Sequence, residues 1–229
     1  MTCPAMISRL IDRLGLSATH RGPPPDTPIA DLRLVALDCE TTGLDTRRDR
    51  IVSIATVPIR AGQLDEARGI DRLVNPGCPI PARSSEIHGI LDADVVAAPA
   101  FATILPGLAA SLDGAATIGH EIGFDAAMIR REAKLARMSW TPPPLLDTML
   151  LGAAFIPGCN DLRLEAIAER LGVIVRERHT ARGDARAAAE IFVRLLPAFE
   201  TKRVVHLADL LAVCREQERA LRRRLGSGW

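Results

Sequence analysis

"VALDCETTGLD", residues 35–45, ends an apolar run with two carboxylates one residue apart, Asp38 and Glu40. Side chains of a strand alternate between its faces, so Asp38 and Glu40 point one way and Cys39 the other. Leu34 and Ala36 share the parity of Asp38, so that face is apolar to the strand end and then abruptly acidic. Cys39, opposite, reads as a small hydrophobe turned toward the core. Two like charges this close repel each other unless a cation compensates, and oxygen ligands gathered at a strand end suit Mg²⁺ or Mn²⁺. The T-T-G that follows is a small-residue turn whose backbone can approach a ligand closely. Taken alone, D-x-E also fits a solvated loop after the strand.

Around this stretch the pattern predicts strands at 33–38, 51–59 and 69–74, a helix over 101–112 and a strand at A-T-I-G-H. A helix over 125–137, a strand at 145–147, and helices near 148–155, 161–171 and 184–196 follow, then a charged amphipathic helix over 204–225. Strands followed by alternating helix and strand read as α/β with a mixed sheet. Met6, Leu10, Ile11 and Leu14 recur at helical intervals before the three prolines of R-G-P-P-P-D. The expected division is therefore an N-terminal helix and Pro-rich linker (1–30), a compact domain (31–200) and a C-terminal amphipathic helix (201–229).

Among 229 residues, 48% are apolar and 25% charged, with five Phe, two Trp and no Tyr. The core must therefore be built from Ala, Leu, Ile and Val. A net charge of +1 supplies no global field toward nucleic acid or membrane, although a local basic groove needs none. Five scattered Cys without a C-x-x-C pair suggest neither a disulfide framework nor a thiolate zinc site, and reduced thiols point to the cytoplasm. The N-terminus carries Arg and Asp within its apolar portion, which makes a poor signal peptide, and no apolar run is long enough to span a membrane.

Two further stretches change the weight of Asp38 and Glu40. G-H-E-I-G-F-D places Asp125 at the start of a predicted helix, and H-T-A-R-G-D places His179 five residues before Asp184, which opens another. Each Asp alone reads equally as an N-terminal cap, and a single His as a surface residue. In order, D-x-E-T-T-G-L, I-H-G-I, G-H-x-x-G-F-D and H-x-x-x-x-D resemble the DEDD exonuclease superfamily, histidine subclass. The resemblance covers about residues 31–200, and its best-known relative is the proofreading subunit of bacterial replicative DNA polymerase.

That resemblance implies a ribonuclease H-like mixed sheet flanked by helices, here with extra N- and C-terminal helices. It implies that Asp38, Glu40, Asp125 and Asp184 hold two divalent cations, Mg²⁺ or Mn²⁺, with Asp38 bridging them and Asp125 acting through water. His179 becomes the general base, in a loop that lets it swing in, a task suited to an ordinary imidazole pKa near 6.5. The absence of Tyr excludes the sister subclass that uses Tyr in place of this His. Thr41 and Thr42 match the turn that meets the terminal nucleotide through backbone groups. Leu44 matches an apolar wedge beside the last base, with a core leucine as the alternative. His88 matches a position near the scissile phosphate, with a capping or surface role as the alternative.

Two positions depart from the family: Arg83 stands where some relatives have Glu, and Glu121 where Asn is frequent. The runs Arg47, Arg48, Arg50 and Arg176, Arg178, Arg182, Arg186 flank the acidic positions and are candidates for a phosphate-tracking groove. Val205, Leu207, Leu210, Leu211, Cys214 and Leu221 form a broken apolar stripe, expected to pack on the domain or on the N-terminal helix, with docking of a partner the lesser reading. The expectation is a metal-dependent 3′→5′ exonuclease acting on single-stranded nucleic-acid ends and releasing nucleoside 5′-monophosphates. DNA is favoured over RNA because the motifs resemble the polymerase-associated branch, and such relatives imply a polymerase or regulatory protein partner. The alternatives are an exoribonuclease trimming short RNA and a non-catalytic nucleic-acid-binding or regulatory module; the presence of all five positions argues against the latter.

Overall fold

A computed structural model describes residues 17–19 and 22–225. The helix expected over 6–16 lies outside the described residues. In chain order the strands are β1 (Ser17–Thr19), β2 (Leu34–Thr41), β3 (Ile51–Arg60), β4 (Gln63–Leu64), β5 (Asp71–Leu73), β6 (Ala116–Gly119), β7 (Ser139–Thr141) and β8 (Leu145–Asp147). The helices are α1 (Ala82–His88), α2 (Asp92–Val95), α3 (Phe101–Leu112), α4 (Ile122–Leu135), α5 (Thr148–Phe155), α6 (Leu164–Arg170), α7 (Ala181–Thr201) and α8 (Leu207–Leu225).

The mixed sheet is built around β2. On one side it pairs antiparallel with β3, whose other edge carries β4 and β5; on the other it runs parallel to β6, followed by β8. β1 and β7 form a separate parallel pair. The carboxyl ends of β2, β6 and β8 therefore lie along one edge, the edge where open α/β sheets bind ligands.

The alternation read from the sequence holds residue by residue. Leu34 and Ala36 pack with Ile118, Leu146 and Phe192 on the α7 side, whereas Val35, Leu37 and Cys39 pack with Phe101, Leu105, Met128 and Ile129 from α3 and α4. β2 continues past its expected end to Thr41, so Asp38 and Glu40 are strand residues on the α7 face and not part of a solvated loop.

α7 tapers in side-chain size where it lies over this face. Ala185, Ala188 and Ala189 are buried at its Asp184 end, and Phe192 and Phe199 further along. Beside the bulky end is an apolar groove of about 530 Å³, lined by Leu34, Ile59, Phe192, Leu196 and Phe199 among others.

α8 buries Leu207, Leu210 and Cys214 against α5 and β8, which is the packing expected of its stripe, although Val205 remains half exposed. The segment before β2 is tied to the start of α8: Ile29 N–H donates to the Val205 carbonyl at 2.9 Å, and Leu207 N–H to that of Thr27 at 3.0 Å.

Helices α1 and α2 and strands β1, β4 and β7 were not expected. Each is too short to develop a hydrophobic period. No helix among the described residues is long and apolar enough to cross a membrane.

Candidate active site

Three of the expected carboxylates meet. Asp38 and Glu40 at the end of β2, and Asp184 in the first turn of α7, each offer an oxygen within 4.8 Å of the others. Asp184 is free to do so because Thr180 caps α7, its Oγ1 accepting from Gly183 N–H at 3.0 Å. Asp125 is likewise no cap: the N-cap position of α4 is Glu121. Asp125 is buried and its Oδ1 accepts from Cys39 N–H at 2.9 Å, which fixes α4 to β2 beside the cluster but leaves Asp125 outside the three-carboxylate group.

The electrostatics follow from burial and crowding. Burial, with the charges of Asp125, Asp184 and Glu40 adding, holds the Asp38 carboxyl well above the usual range. Glu40 is pushed up to about 7, first by burial and then by Asp184, with Arg178 opposing. Burial also raises Asp125 strongly and Asp184 to a lesser extent. Asp184 Oδ1 is buried without a hydrogen-bond partner. A set of crowded, partly protonated carboxylates with an unpaired oxygen fits a hard divalent cation.

His179 sits at φ 63°, in the left-handed region that a histidine enters only at a cost. Its N–H lies 3.3 Å from Asp184 Oδ2. Gly183 is what lets the loop rest there: a Cβ at this position would come within 2.2 Å of the Glu177 carbonyl oxygen. Arg178, next to His179, bonds both Asp184 and Glu165 of α6. This pairing had no signal in the sequence, since Glu165 carries no motif.

The exonuclease family model RNase_T matches residues 35–192. The chain belongs to this exonuclease family. It is similar to the DNA polymerase III subunit epsilon-like protein of Rhodobacter capsulatus, 40% identical over 200 residues that make up 86% of this chain and 28% of that protein. It is also similar to the DNA polymerase III subunit epsilon of Aquifex aeolicus, 30% identical over 168 residues, 73% of this chain and 82% of that one. The chain thus spans little more than a quarter of the first relative.

Among solved structures it resembles the nuclease domain of 3′hExo, a DEDDh family member bound to rAMP, with a TM-score of 0.62 and 17% identity. That match covers 72% of this chain and 92% of the other. A second is Escherichia coli Exonuclease I in complex with a dT13 oligonucleotide, with a TM-score of 0.64 and 15% identity, covering 76% of this chain and 43% of the other. These likenesses show the ribonuclease H-like fold.

Of the other expected positions, Thr41 ends β2, Thr42 and Leu44 lie on the turn between β2 and β3, and His88 ends α1. Leu44 is 85% exposed, which rules out the core alternative. Thr41 and Thr42 are buried, and Thr42 N–H donates to the Arg50 carbonyl at 2.9 Å. His88 is buried at the end of α1 and is no surface residue; its Nδ1 accepts from Ile90 N–H at 3.0 Å, which places the proton of the neutral ring on Nε2. Burial lowers its pKa, with the Thr41 carbonyl opposing.

The arginines behave differently from the expected groove. Arg182 pairs with Glu66 at 3.0 Å, Arg186 with Glu190 at 2.9 Å, and Arg50 with Glu132 at 2.7 Å. With Arg178 also engaged, three arginines of the second run and Arg50 of the first are held by carboxylates. Arg47 and Arg48 pair with Asp45 at 3.4 and 3.8 Å and keep side chains 89% and 86% exposed.

Glu121 illustrates a local cost. It sits at φ 57°, where Asn or Gly is at ease, and its N–H donates to Asp147 Oδ1 at 3.1 Å. Asp147 caps α5 through Met149 N–H, and its pKa is pushed up to about 6 by burial, with the Glu121 charge adding. Glu121→Asn relieves both the backbone and the repulsion. It is expected to stabilise the exonuclease by about 1 kcal/mol, or about 2–4 °C in Tm. Thermal melting in EDTA checks this, and an unchanged or lower Tm would contradict it.

Proposed function

We propose that this exonuclease degrades single-stranded DNA from its 3′ end, releasing nucleoside 5′-monophosphates in a divalent-cation-dependent reaction with His179 as general base. The observation that carries the reading is the convergence of Asp38, Glu40 and Asp184 beside a histidine held in a strained conformation. Asp38, Glu40 and Asp184, with Asp125 behind them, would hold two cations, Mg²⁺ or Mn²⁺. Bound there, these supply charge stabilisation to the attacking and leaving oxygens of an in-line phosphodiester displacement.

The chain's own residues do the rest. His179 accepts the proton of the attacking water. His88 offers its Nε2–H to the phosphate, and burial lowers its pKa, which favours the neutral ring that donates without adding charge. Thr41 and Thr42 offer backbone groups to the terminal nucleotide, and Leu44 lies against its base. Arg47 and Arg48 face the strand behind it.

DNA is favoured by the names of the relatives, one a DNA polymerase III subunit epsilon and one an epsilon-like protein, and a polymerase or regulatory protein is the partner they suggest. The likeness to 3′hExo, seen bound to rAMP, motivates RNA as the second reading. The proposed location is the cytoplasm.

The test is digestion of 5′-labelled single-stranded DNA and its RNA counterpart with Mg²⁺, Mn²⁺ or EDTA, beside His179→Ala. A ladder shortening from the 3′ end, lost in EDTA and slowed about 10²–10⁴-fold in the variant, is expected. Stronger digestion of RNA would move the substrate to the second reading. No cation-dependent digestion of either strand by folded protein would leave a binding module.

A further inference from the structure

The turn that carries Leu44 is fastened at more points than its length requires. Asp49 closes it from within: Oδ1 accepts from Thr42 Oγ1 at 3.1 Å and Oδ2 from Asp45 N–H at 2.8 Å. Gly43 makes room for this carboxylate, since a Cβ there would fall 2.5 Å from Asp49 Oδ2. Arg50 N–H donates back to Thr42 Oγ1 at 3.0 Å.

From outside, α4 grips the same turn with two consecutive residues. Glu132 is 2% exposed and uses both oxygens: Oε1 accepts from Arg50 Nε at 2.7 Å and from Ile51 N–H at 3.3 Å, and Oε2 accepts from Arg50 Nη2 at 3.0 Å. Arg131 donates from Nε to the Asp49 carbonyl and from Nη2 to that of Arg48, both at 3.1 Å. The paired groups lie 82 residues apart in the chain, so this attachment is tertiary and not a property of the turn itself.

Two features make this more than loop anchoring. The turn presents Leu44, whose 85% exposure is the highest among the described large apolar side chains. A rigid mount for an apolar group in water costs conformational entropy with no folding gain in return, which suits a surface prepared for a ligand. Second, Glu132 stands seven residues after Asp125, two turns along one face of α4, about 10 Å of helix. One helix therefore fixes both a carboxylate beside the cation cluster and the mount of Leu44.

We infer that Glu132 and Arg131 are positioning residues that set the location of Leu44 relative to the acidic cluster, so that the terminal nucleotide is held at the right distance from the scissile bond. The inference rests on the proposed 3′-end reading, with Leu44 as the group that touches the terminal base. The bidentate Arg50–Glu132 pair and the two Arg131 bonds act only through that turn.

The test is steady-state digestion of 5′-labelled single-stranded DNA by wild type, Glu132→Gln, Arg131→Ala, Leu44→Ala and the Glu132→Gln/Leu44→Ala double variant. Thermal melting and Mn²⁺ calorimetry on each variant accompany it. Glu132→Gln is expected to raise KM about tenfold with kcat and Mn²⁺ affinity unchanged, and Arg131→Ala to shift KM the same way by less. In the double variant the KM should match that of Leu44→Ala alone, because a misplaced wedge and an absent one fail alike.

Single effects that multiply in the double variant would overturn the inference, as would a Glu132→Gln that lowers Mn²⁺ affinity or kcat while leaving KM alone. If Glu132→Gln does not fold, Arg131→Ala takes its place in the same cycle with Leu44→Ala. Wild type that digests nothing would instead overturn the exonuclease reading beneath it.

Discussion

Asp38→Asn is expected to abolish digestion while making the cation-free protein more stable. Asp38 is the most crowded of the carboxylates: Asp125, Asp184 and Glu40 all raise its pKa on top of burial. Its charge therefore opposes folding until a cation arrives, and the isosteric amide removes that charge without opening a cavity. The variant should therefore melt higher than wild type in EDTA. Digestion should fall by about 10³-fold or more, because a cation contributes several kcal/mol to the transition state and each 1.36 kcal/mol is a factor of ten. Melting in EDTA and in Mn²⁺, run beside the digestion assay, checks both halves; Mn²⁺ should stabilise wild type far more than the variant. An active Asp38→Asn, or one that melts lower than wild type in EDTA, would remove Asp38 from the proposed cation site.

The second large effect is on pH. Glu40 has its folded pKa raised from 4.5 to about 7, so its contribution to stability is fully present below pH 4.5 and is lost as pH rises through about 7. A shift of that size corresponds to about 3–4 kcal/mol. Asp147, raised from 3.8 to about 6, acts with the same sign at lower pH. His120 acts against them: burial and Arg178 lower its pKa to about 4, so its contribution is present above 6.5 and lost as pH falls through about 4.

Above pH 6.5 Glu40 still titrates while Asp147 and His120 do not, and the strongly raised Asp38 and Asp125 carboxyls act with the same sign as Glu40, so in that window the cation-free protein should melt lower with each step toward pH 7.5. A divalent cation takes up the deprotonated carboxylates, so its stabilisation should grow over the same window. Glu40→Gln should make the cation-free profile shallower there. A wild-type profile that is level or rising between pH 6.5 and 7.5 would contradict the assignment.

Much of this arrangement was legible because the decisive signals are local. The parity of Leu34, Ala36, Asp38 and Glu40 set one face of β2, and the structure places all four on the α7 side. The helices expected over 101–112 and 148–155 occupy those residues, their apolar periods being long enough to read. What escaped is tertiary. Arg178, Arg182 and Arg186 looked free because Glu165 and Glu66 carry no motif that announces their pairing. Glu132 carries no motif either, yet it is buried on Arg50. The left-handed backbone of Glu121 and His179 is invisible in residue types that ordinarily avoid it.

The gradation of side chains along α7 makes the helix a gauge with one fine end and one coarse end. At the fine end single methyl groups, those of Ala185, Ala188 and Ala189, set the clearance between Asp184 and the strand that bears Asp38 and Glu40. At the coarse end Phe192 and Phe199 border a groove with room to spare. Variation in side-chain volume can therefore be absorbed beside the groove without reaching the carboxylates, while one added methylene under Asp184 would be felt there at once. The protein's tolerance to change should run along this helix as a slope, steepest in the turn that meets the sheet at the acidic edge.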